Sequence, residues 1–302
     1  SGMKLRRSRT EINLLKEQVE VLSNATAGGS EEIIIGDSPV MQQVFSTVEK
    51  LRDTDANILI LGENGTGKDV IARMLYRNSP RYGKPFVTID LGSIPEQLFE
   101  SELFGYEKGA FTDARKAKVG RMEVATGGTL FLDEIGNLSL PMQAKLLTAI
   151  EKRCISRLGS TQATPIDVRL ICATNADIRR LVDEGDFRQD LLYRINTIEL
   201  HIPPLRERGN DILLLAEYFL QRYARKYQKD MRGLTREAKN KLLKYAWPGN
   251  VRELQHTVER AVILGDGSLL RPENFMFQAS VSRQKKEEEV LNLEQLERQA
   301  VE

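Results

Sequence analysis

The chain has 302 residues, room for about two domains of roughly 150 residues each. Its 44 Lys and Arg almost balance 43 Asp and Glu, and the formal charge of +1 excludes a global polycation that would hold nucleic acid or an anionic membrane by charge alone. With 41% hydrophobic residues, no apolar run near the length of a bilayer span, and only Cys154 and Cys172 beside His201 and His256, a membrane-spanning helix, a disulfide framework and a zinc site are excluded as well. A soluble, cytoplasmic protein is expected. Ser1-Gly2-Met3 reads as a cloning remnant ahead of an internal start, so a fragment is expected.

Residues 1–29 come first. Leu5, Ile12, Leu15, Val19 and Leu22 fall on heptad a and d positions, which fits either a short dimerising coiled coil or an amphipathic helix docked on its own domain. Ala27-Gly28-Gly29-Ser30 then breaks the pattern as a flexible linker. From 30 to 203, apolar runs alternate with amphipathic stretches: 57–61, 86–90, 129–133, 168–173 and 198–202 read as strands. Helical patterns between most of them predict an α/β domain, a parallel sheet covered on both faces. Pro203-Pro204 closes this region. Within 204–279, the stretches 211–227, 235–245 and 250–264 read as helices with N-caps at Asp211, Thr235 and Asn250, hence a small all-helical lid domain. The polar, charged run from Ser280 to Glu289 opens a last segment, 280–302, read as a linker and the start of a further helix from Leu291.

The first strand runs straight into Gly62-Glu63-Asn64-Gly65-Thr66-Gly67-Lys68-Asp69, and a helical pattern follows from Val70 to Tyr76. G-x-x-x-x-G-K between strand and helix is a phosphate loop: glycines let successive N–H groups turn inward, the helix start adds its dipole, and Lys68 brings a point charge to the β and γ phosphates. Asp69 replaces the Ser or Thr that usually ligates Mg²⁺; it either helps hold the metal through water or caps the helix. Thr129 to Leu132 end in Asp133-Glu134, acids suited to orienting Mg²⁺ and polarising an attacking water. The strand at 168–173 ends in Thr174-Asn175, which suits a γ-phosphate sensor or a helix cap. No NKxD guanine signature is present, which favours ATP.

Several motifs occur in order: GDSPVM from Gly36, GENGTGKD from Gly62, ESELFGYEKGAFTDA from Glu100, GGTLFLDEIGNL from Gly127, ATN from Ala173, FRQDLLYRIN from Phe187, IPPLRER from Ile202 and WPGNVREL from Trp247. In these the chain resembles the AAA+ domain of bacterial enhancer-binding proteins of the NtrC family, the activators of sigma-54 RNA polymerase. The similarity covers about residues 33–275. The family usually carries Glu where Asp69 stands.

The resemblance implies an ATP-hydrolysing motor, with ATP and Mg²⁺ as cofactors, that remodels closed complexes of sigma-54 RNA polymerase. Arg188 and Arg194 match arginine fingers reaching the nucleotide of a neighbouring subunit, which implies a homo-oligomer, from a dimer to a hexameric or heptameric ring. Arg252 matches the lid's sensor arginine, and Phe111 and Thr112 match the tip of the loop that touches sigma-54. Two departures stand out. Asp113 replaces a loop glycine, restricting the backbone and adding charge. Asp90 replaces an Asn proposed to hold the catalytic glutamate, here Glu134, in an inactive rotamer, and two carboxylates pair that way only if one is protonated. Two other readings stay open: a related regulator whose GAFTDA loop does not engage sigma-54, and a nucleotide-switched oligomerising module with little turnover. Residues 293–302 resemble the first helix of the DNA-binding domain of such activators, so DNA contact is expected through a C-terminal domain outside this chain. A preceding regulatory domain of the two-component type also fits the family.

Overall fold

The computed structural model describes residues 35–277, together with Leu15 and Gln18. Leu15 and Gln18 are helical, and Gln18 Nε2 donates to Val124 O at 3.2 Å. The rest of the heptad pattern and the helix expected from Leu291 lie outside the described residues.

Among the described residues up to 203, nine strands form: β1 (Ile58–Leu61), β2 (Phe86–Asp90), β3 (Gly105–Tyr106), β4 (Lys118–Val119), β5 (Thr129–Asp133), β6 (Cys154–Ser156), β7 (Ala163–Pro165), β8 (Arg169–Thr174) and β9 (Ile198–His201). The five apolar runs expected as strands become one sheet in the order β2-β5-β8-β1-β9, with every pairing parallel. Side chains alternate across it. Ile58 and Ile60 face the helices Pro39–Lys50 and Lys68–Arg77, while Leu59, Leu130, Leu132 and Cys172 face helices Glu96–Leu103, Leu140–Lys152 and Gln189–Ile195. Both faces are therefore covered, which is why the central strands β1, β5 and β8 read as apolar runs, while the edge strands β2 and β9 carry the exposed Thr88, Asp90 and His201.

The helix Lys68–Arg77 shows how the pattern builds one layer. Its buried residues, Lys68, Ile71, Ala72, Leu75 and Tyr76, follow the spacing of a single helical face. Tyr76 then stacks on Phe86 at 4.8 Å, and Phe86 lies 6.4 Å from Phe131, carrying the packing across β2 and β5. Each such apolar side chain, fully buried, contributes roughly 1.5–3 kcal/mol.

Two antiparallel hairpins, β3–β4 and β6–β7, project from the sheet domain. They touch where Glu107 N donates to Leu158 O at 3.0 Å and Leu158 N to Gly105 O at 2.9 Å. A buried ion pair ties them down: Arg157 Nη2 meets Glu123 Oε1 at 2.7 Å and Arg157 Nη1 meets Glu107 Oε1 at 3.0 Å.

Residues 205–275 have their own core, centred on Trp247, Leu254, Val258, Ala216 and Leu220. Helices Asp211–Lys226, Arg236–Lys244 and Asn250–Leu264 form it, within one residue of the expected ends. A pair of two-residue strands, β10 (Gly233–Leu234) and β11 (Leu269–Leu270), joins them, a parallel contact too short to show in the sequence pattern. Of the three expected caps only Thr235 acts as one, its Oγ1 accepting from Ala238 N at 3.2 Å. Asp211 and Asn250 are each the first helical residue, following Asn210 and Gly249, and turn their side chains to other partners.

Candidate functional site: a phosphate loop facing paired carboxylates

The site forms where β1, β5 and β8 end. After Leu61 the chain enters the loop 62–67, where Gly65 (φ 76°) and Gly67 (φ 96°) take left-handed conformations that a side chain would strain. Gly62 N is tied to Thr174 O at 3.3 Å, and Thr66 Oγ1 donates to Glu63 O at 2.7 Å. Lys68 is buried at the helix start. Its ammonium donates to Gly62 O at 3.1 Å and Glu63 O at 3.5 Å, so it caps its own loop.

Glu134 follows β5 in a left-handed conformation, φ 55°. A non-glycine residue pays about 1–2 kcal/mol there, strain characteristic of functional positions. The turn sets the carboxylate between two other strand ends: Oε1 lies 3.6 Å from Lys68 Nζ and Oε2 accepts from Asn175 N at 3.4 Å. Asp133 Oδ1 accepts from Glu134 N at 3.0 Å. Burial pushes the Asp133 carboxyl above its ordinary value, and the Glu134 charge pushes the same way. Lys68, Asp133, Glu134 and the backbone of Asn175 are thus brought together, whereas the exposed Asn175 side chain is left out of these contacts.

Asp90 pairs in register with Asp133 on the neighbouring strand. Its Oδ1 accepts from Gly92 N at 3.0 Å, so the two carboxylates of Asp90 and Glu134 look to different partners, as like charges should.

Beside the loop lies a cavity of about 250 Å³, lined by Gly65, Thr66, Gly67 and Asp69 on one side and by Ile35, Met41, Leu215, Tyr218 and Arg252 on the other. An apolar end and a backbone-rich end suit a nucleotide's base and phosphates. Asp69 and Arg252 are exposed on this cavity, and Asn64 is exposed at the loop's crest. Among the described residues, no three His, Cys, Asp or Glu side chains gather into a preformed metal cage. One desolvated carboxylate next to a phosphate loop nevertheless fits Mg²⁺, which prefers a few hard oxygen ligands shared with phosphates and water.

The two arginines of FRQDLLYR stand elsewhere. Arg188 precedes the helix Gln189–Ile195 and pairs with Asp190, its Nη2 2.7 Å from Oδ2 and its Nε 3.0 Å from Oδ1. The fully buried Gln143 accepts from Arg188 N at 2.8 Å, and Asn57 Nδ2 donates to Arg194 O at 2.9 Å. Arg194 lines a second cavity, of about 150 Å³, with Asp55, Asn57 and Arg153 at the amino ends of the strands, opposite the phosphate loop. In the GAFTDA loop, at the tip of the β3–β4 hairpin, Phe111 is 45% exposed and rests edge-on against Tyr106 at 4.9 Å. Thr112 and Asp113 are exposed as well. The left-handed position is Gly109 (φ 86°); Asp113 lies outside that region, so the lost glycine costs no backbone strain in this conformation.

The sequence pattern does not reveal the contacts behind the phosphate loop. Glu63 pairs with Arg206, Nη2 to Oε1 at 2.6 Å, and that bond, with a second from Asn250, holds its carboxyl down to about 2. Arg208 is buried and donates through Nη2 to Thr66 O and Pro203 O, both at 2.8 Å. Burial draws its guanidinium down to about 10. Arg206 and Arg208 lie more than 140 residues from Glu63 and Thr66 in the chain, and only IPPLRER and WPGNVREL, read for other reasons, flag them.

A parallel sheet in this order, a phosphate loop facing an Asp-Glu pair and a helical lid define a P-loop NTPase of the AAA+ class. The model of the "Sigma-54 interaction domain" family matches residues 34–201, and that of the "AAA+ ATPase lid domain" matches residues 206–292. The chain belongs to the sigma-54 interaction domain family of enhancer-binding proteins. It is 50% identical over 237 residues to the transcriptional regulatory protein ZraR of Klebsiella oxytoca, covering 78% of this chain and 54% of the relative. NtrX from Brucella abortus in complex with ADP superposes with a TM-score of 0.77 at 32% identity, covering 92% of this chain and 63% of NtrX. The same protein in complex with ATP gives 0.74 at 31% identity, covering 83% and 58%. The chain thus spans about half the length of the curated relatives it matches. Among the described residues, no helix is long and apolar enough to cross a membrane.

Proposed function

We propose that the chain is an ATPase that drives remodelling of sigma-54 RNA polymerase. The observation carrying this reading is the convergence of the Lys68 ammonium, the Glu134 carboxylate 3.6 Å from it and the desolvated Asp133 beside a nucleotide-sized cavity. In this reading the loop 62–69 holds the phosphates of ATP, and Lys68 shifts from its own carbonyls to the β and γ phosphates. Asp133, helped by Asp69, holds Mg²⁺, which supplies charge neutralisation at the transferring phosphoryl group. Glu134 orients and deprotonates the attacking water, Asn175 senses the γ-phosphate, and Arg252 ties the lid to the nucleotide.

Arg194 lines the cavity at the amino ends of the strands, opposite its own phosphate loop, and Arg188 is paired with Asp190, which supports their acting on a neighbour's nucleotide and hence a ring of subunits. The exposed Phe111 and Thr112 at the end of a braced hairpin support a contact with sigma-54. A sheet domain to about residue 203 and a lid over 204–279 are the working units, and DNA contact belongs to a domain outside this chain. The location is cytoplasmic.

Two measurements test this. Phosphate release from ATP should be readily detected with the chain alone and absent from Glu134→Gln. Capture of sigma-54 should require an ATP transition-state analogue; hydrolysis without capture would leave an ATPase with a different client.

A further inference from the structure

The lid offers three polar residues at helix starts, and two of them are used for something other than capping. Asn250 is fully buried at φ 51°, a left-handed position that glycine would fill without a side chain. Its amide faces the phosphate loop: Nδ2 donates to Glu63 Oε2 and to Asn64 O, each at 3.0 Å, and Oδ1 accepts from Leu205 N at 2.8 Å. The backbone around it continues the contact, since Val251 N and Arg252 N donate to Gly65 O at 2.9 and 3.3 Å. With Arg208 on Thr66 O, the carbonyls of three successive loop residues are held by the lid and the hinge before it. A peptide plane that points its C=O one way points the next N–H the other, so the N–H groups of Gly65 and Gly67 are turned away from these partners.

Asp211, 1% exposed, reaches in the other direction. Its Oδ1 accepts from Asp37 N at 2.7 Å and Ser38 N at 2.9 Å, and its Oδ2 accepts from the Ser38 hydroxyl at 2.6 Å. That strap lies between Ile35 and Met41, two of the apolar residues lining the cavity. A carboxylate buried this deeply is retained only where its bonds are made, and among the described residues its side-chain hydrogen bonds go to the strap, while its charge also acts on Arg208.

We propose that Asn250 and Asp211 are positioning residues of the nucleotide cavity, Asn250 for the phosphate loop and Asp211 for the apolar wall that receives the base. The proposal rests on the nucleotide reading of that cavity. Thr235, a true cap in the same lid, makes the control, because losing it lowers stability while its capping partner, Ala238 N, lies in its own helix and not at the cavity.

Calorimetric titration of this chain with ADP and with inorganic tripolyphosphate separates the roles. Losing buried hydrogen bonds to a charged or loop group weakens binding by about tenfold, so Asn250→Gly, which keeps the backbone conformation, should weaken both ligands by that factor. Asp211→Asn should weaken ADP by about tenfold and tripolyphosphate by less than about twofold. Thr235→Ala should lower Tm and leave both affinities unchanged. Should Asn250→Gly fail to fold, Asn250→Asp, which sets a like charge against Glu63, carries the same expectation. Affinities in the Asn250 and Asp211 variants equal to those of Thr235→Ala would overturn the proposal, and equal losses of both ligands in Asp211→Asn would overturn its assignment to the base. A wild-type chain that binds neither ligand would overturn the nucleotide reading itself.

Discussion

Lys68 Nζ stands 3.6 Å from Glu134 Oε1, while the second Glu134 oxygen takes the Asn175 N–H at 3.4 Å. The ammonium is too far for a tight hydrogen bond and close enough for a strong Coulomb attraction in a buried setting. In the proposed function, a phosphate entering the loop would compete for Lys68 and free the Glu134 carboxylate toward water.

Glu134→Gln should therefore keep ATP affinity within a few-fold and lower turnover at least 100-fold, the usual contribution of a general base. Lys68→Ala should lose binding as well. Nucleotide titration alongside phosphate release distinguishes the two, and retained turnover in Glu134→Gln would remove Glu134 as the catalytic group.

Asp133 gives a pH test. Its carboxyl is raised above its ordinary value by burial first and by Glu134 second. A raised folded value favours the protonated form, so the folded state is relatively more stable at low pH and loses that advantage as pH rises through the folded value. Asp133→Asn should raise the Tm of the nucleotide-free chain at pH 7, and the gain should vanish below about pH 3.8, where both proteins are neutral at this position. A gain that persists unchanged into acid would contradict burial as its cause.

Asp90 keeps its Oδ1 on Gly92 N and off Glu134. Asp90→Asn removes the repulsion between these carboxylates and lets an amide reach the glutamate. Basal phosphate release should change severalfold with nucleotide affinity nearly constant; equal changes in both would count against a local effect on Glu134.

At the hairpin tip, Phe111 is the apolar probe, held edge-on by Tyr106. Small aromatic anchors of this kind carry much of a contact's energy, so Phe111→Ala should weaken capture of sigma-54 at least tenfold in a pull-down with an ATP transition-state analogue. Because Asp113 is not in a left-handed conformation, Asp113→Gly should leave Tm within about 1 °C, as expected of an exposed site without strain.

The sheet strands were legible because β1, β5 and β8 are apolar runs buried on both faces and the edge strands β2 and β9 keep apolar residues on the covered side, and Asp133-Glu134 and the phosphate loop were legible because local spacing defines them. The hairpins β3–β4 and β6–β7 were not: strands of two or three residues carry no periodicity. Asp211 and Asn250 misread as caps for a related reason. A cap and a long-range anchor use the same residue types at a helix start, and only the fold shows that the phosphate-loop partners of Asn250 lie 186 and 187 residues away. Arg188 and Arg194, six residues apart, carry no sign of their placement in the spacing; that Arg194 lies at the amino ends of the strands, opposite the phosphate loop, emerges only with the sheet's two ends in view.

That separation leads to the most direct measurement. A nucleotide site completed by a neighbour's Arg188 and Arg194 works only in an assembly, so phosphate release per subunit, followed across a dilution series, should rise steeply with protein concentration and collapse in Arg188→Ala and Arg194→Ala. A rate per subunit that does not change with dilution would contradict completion of the site between subunits.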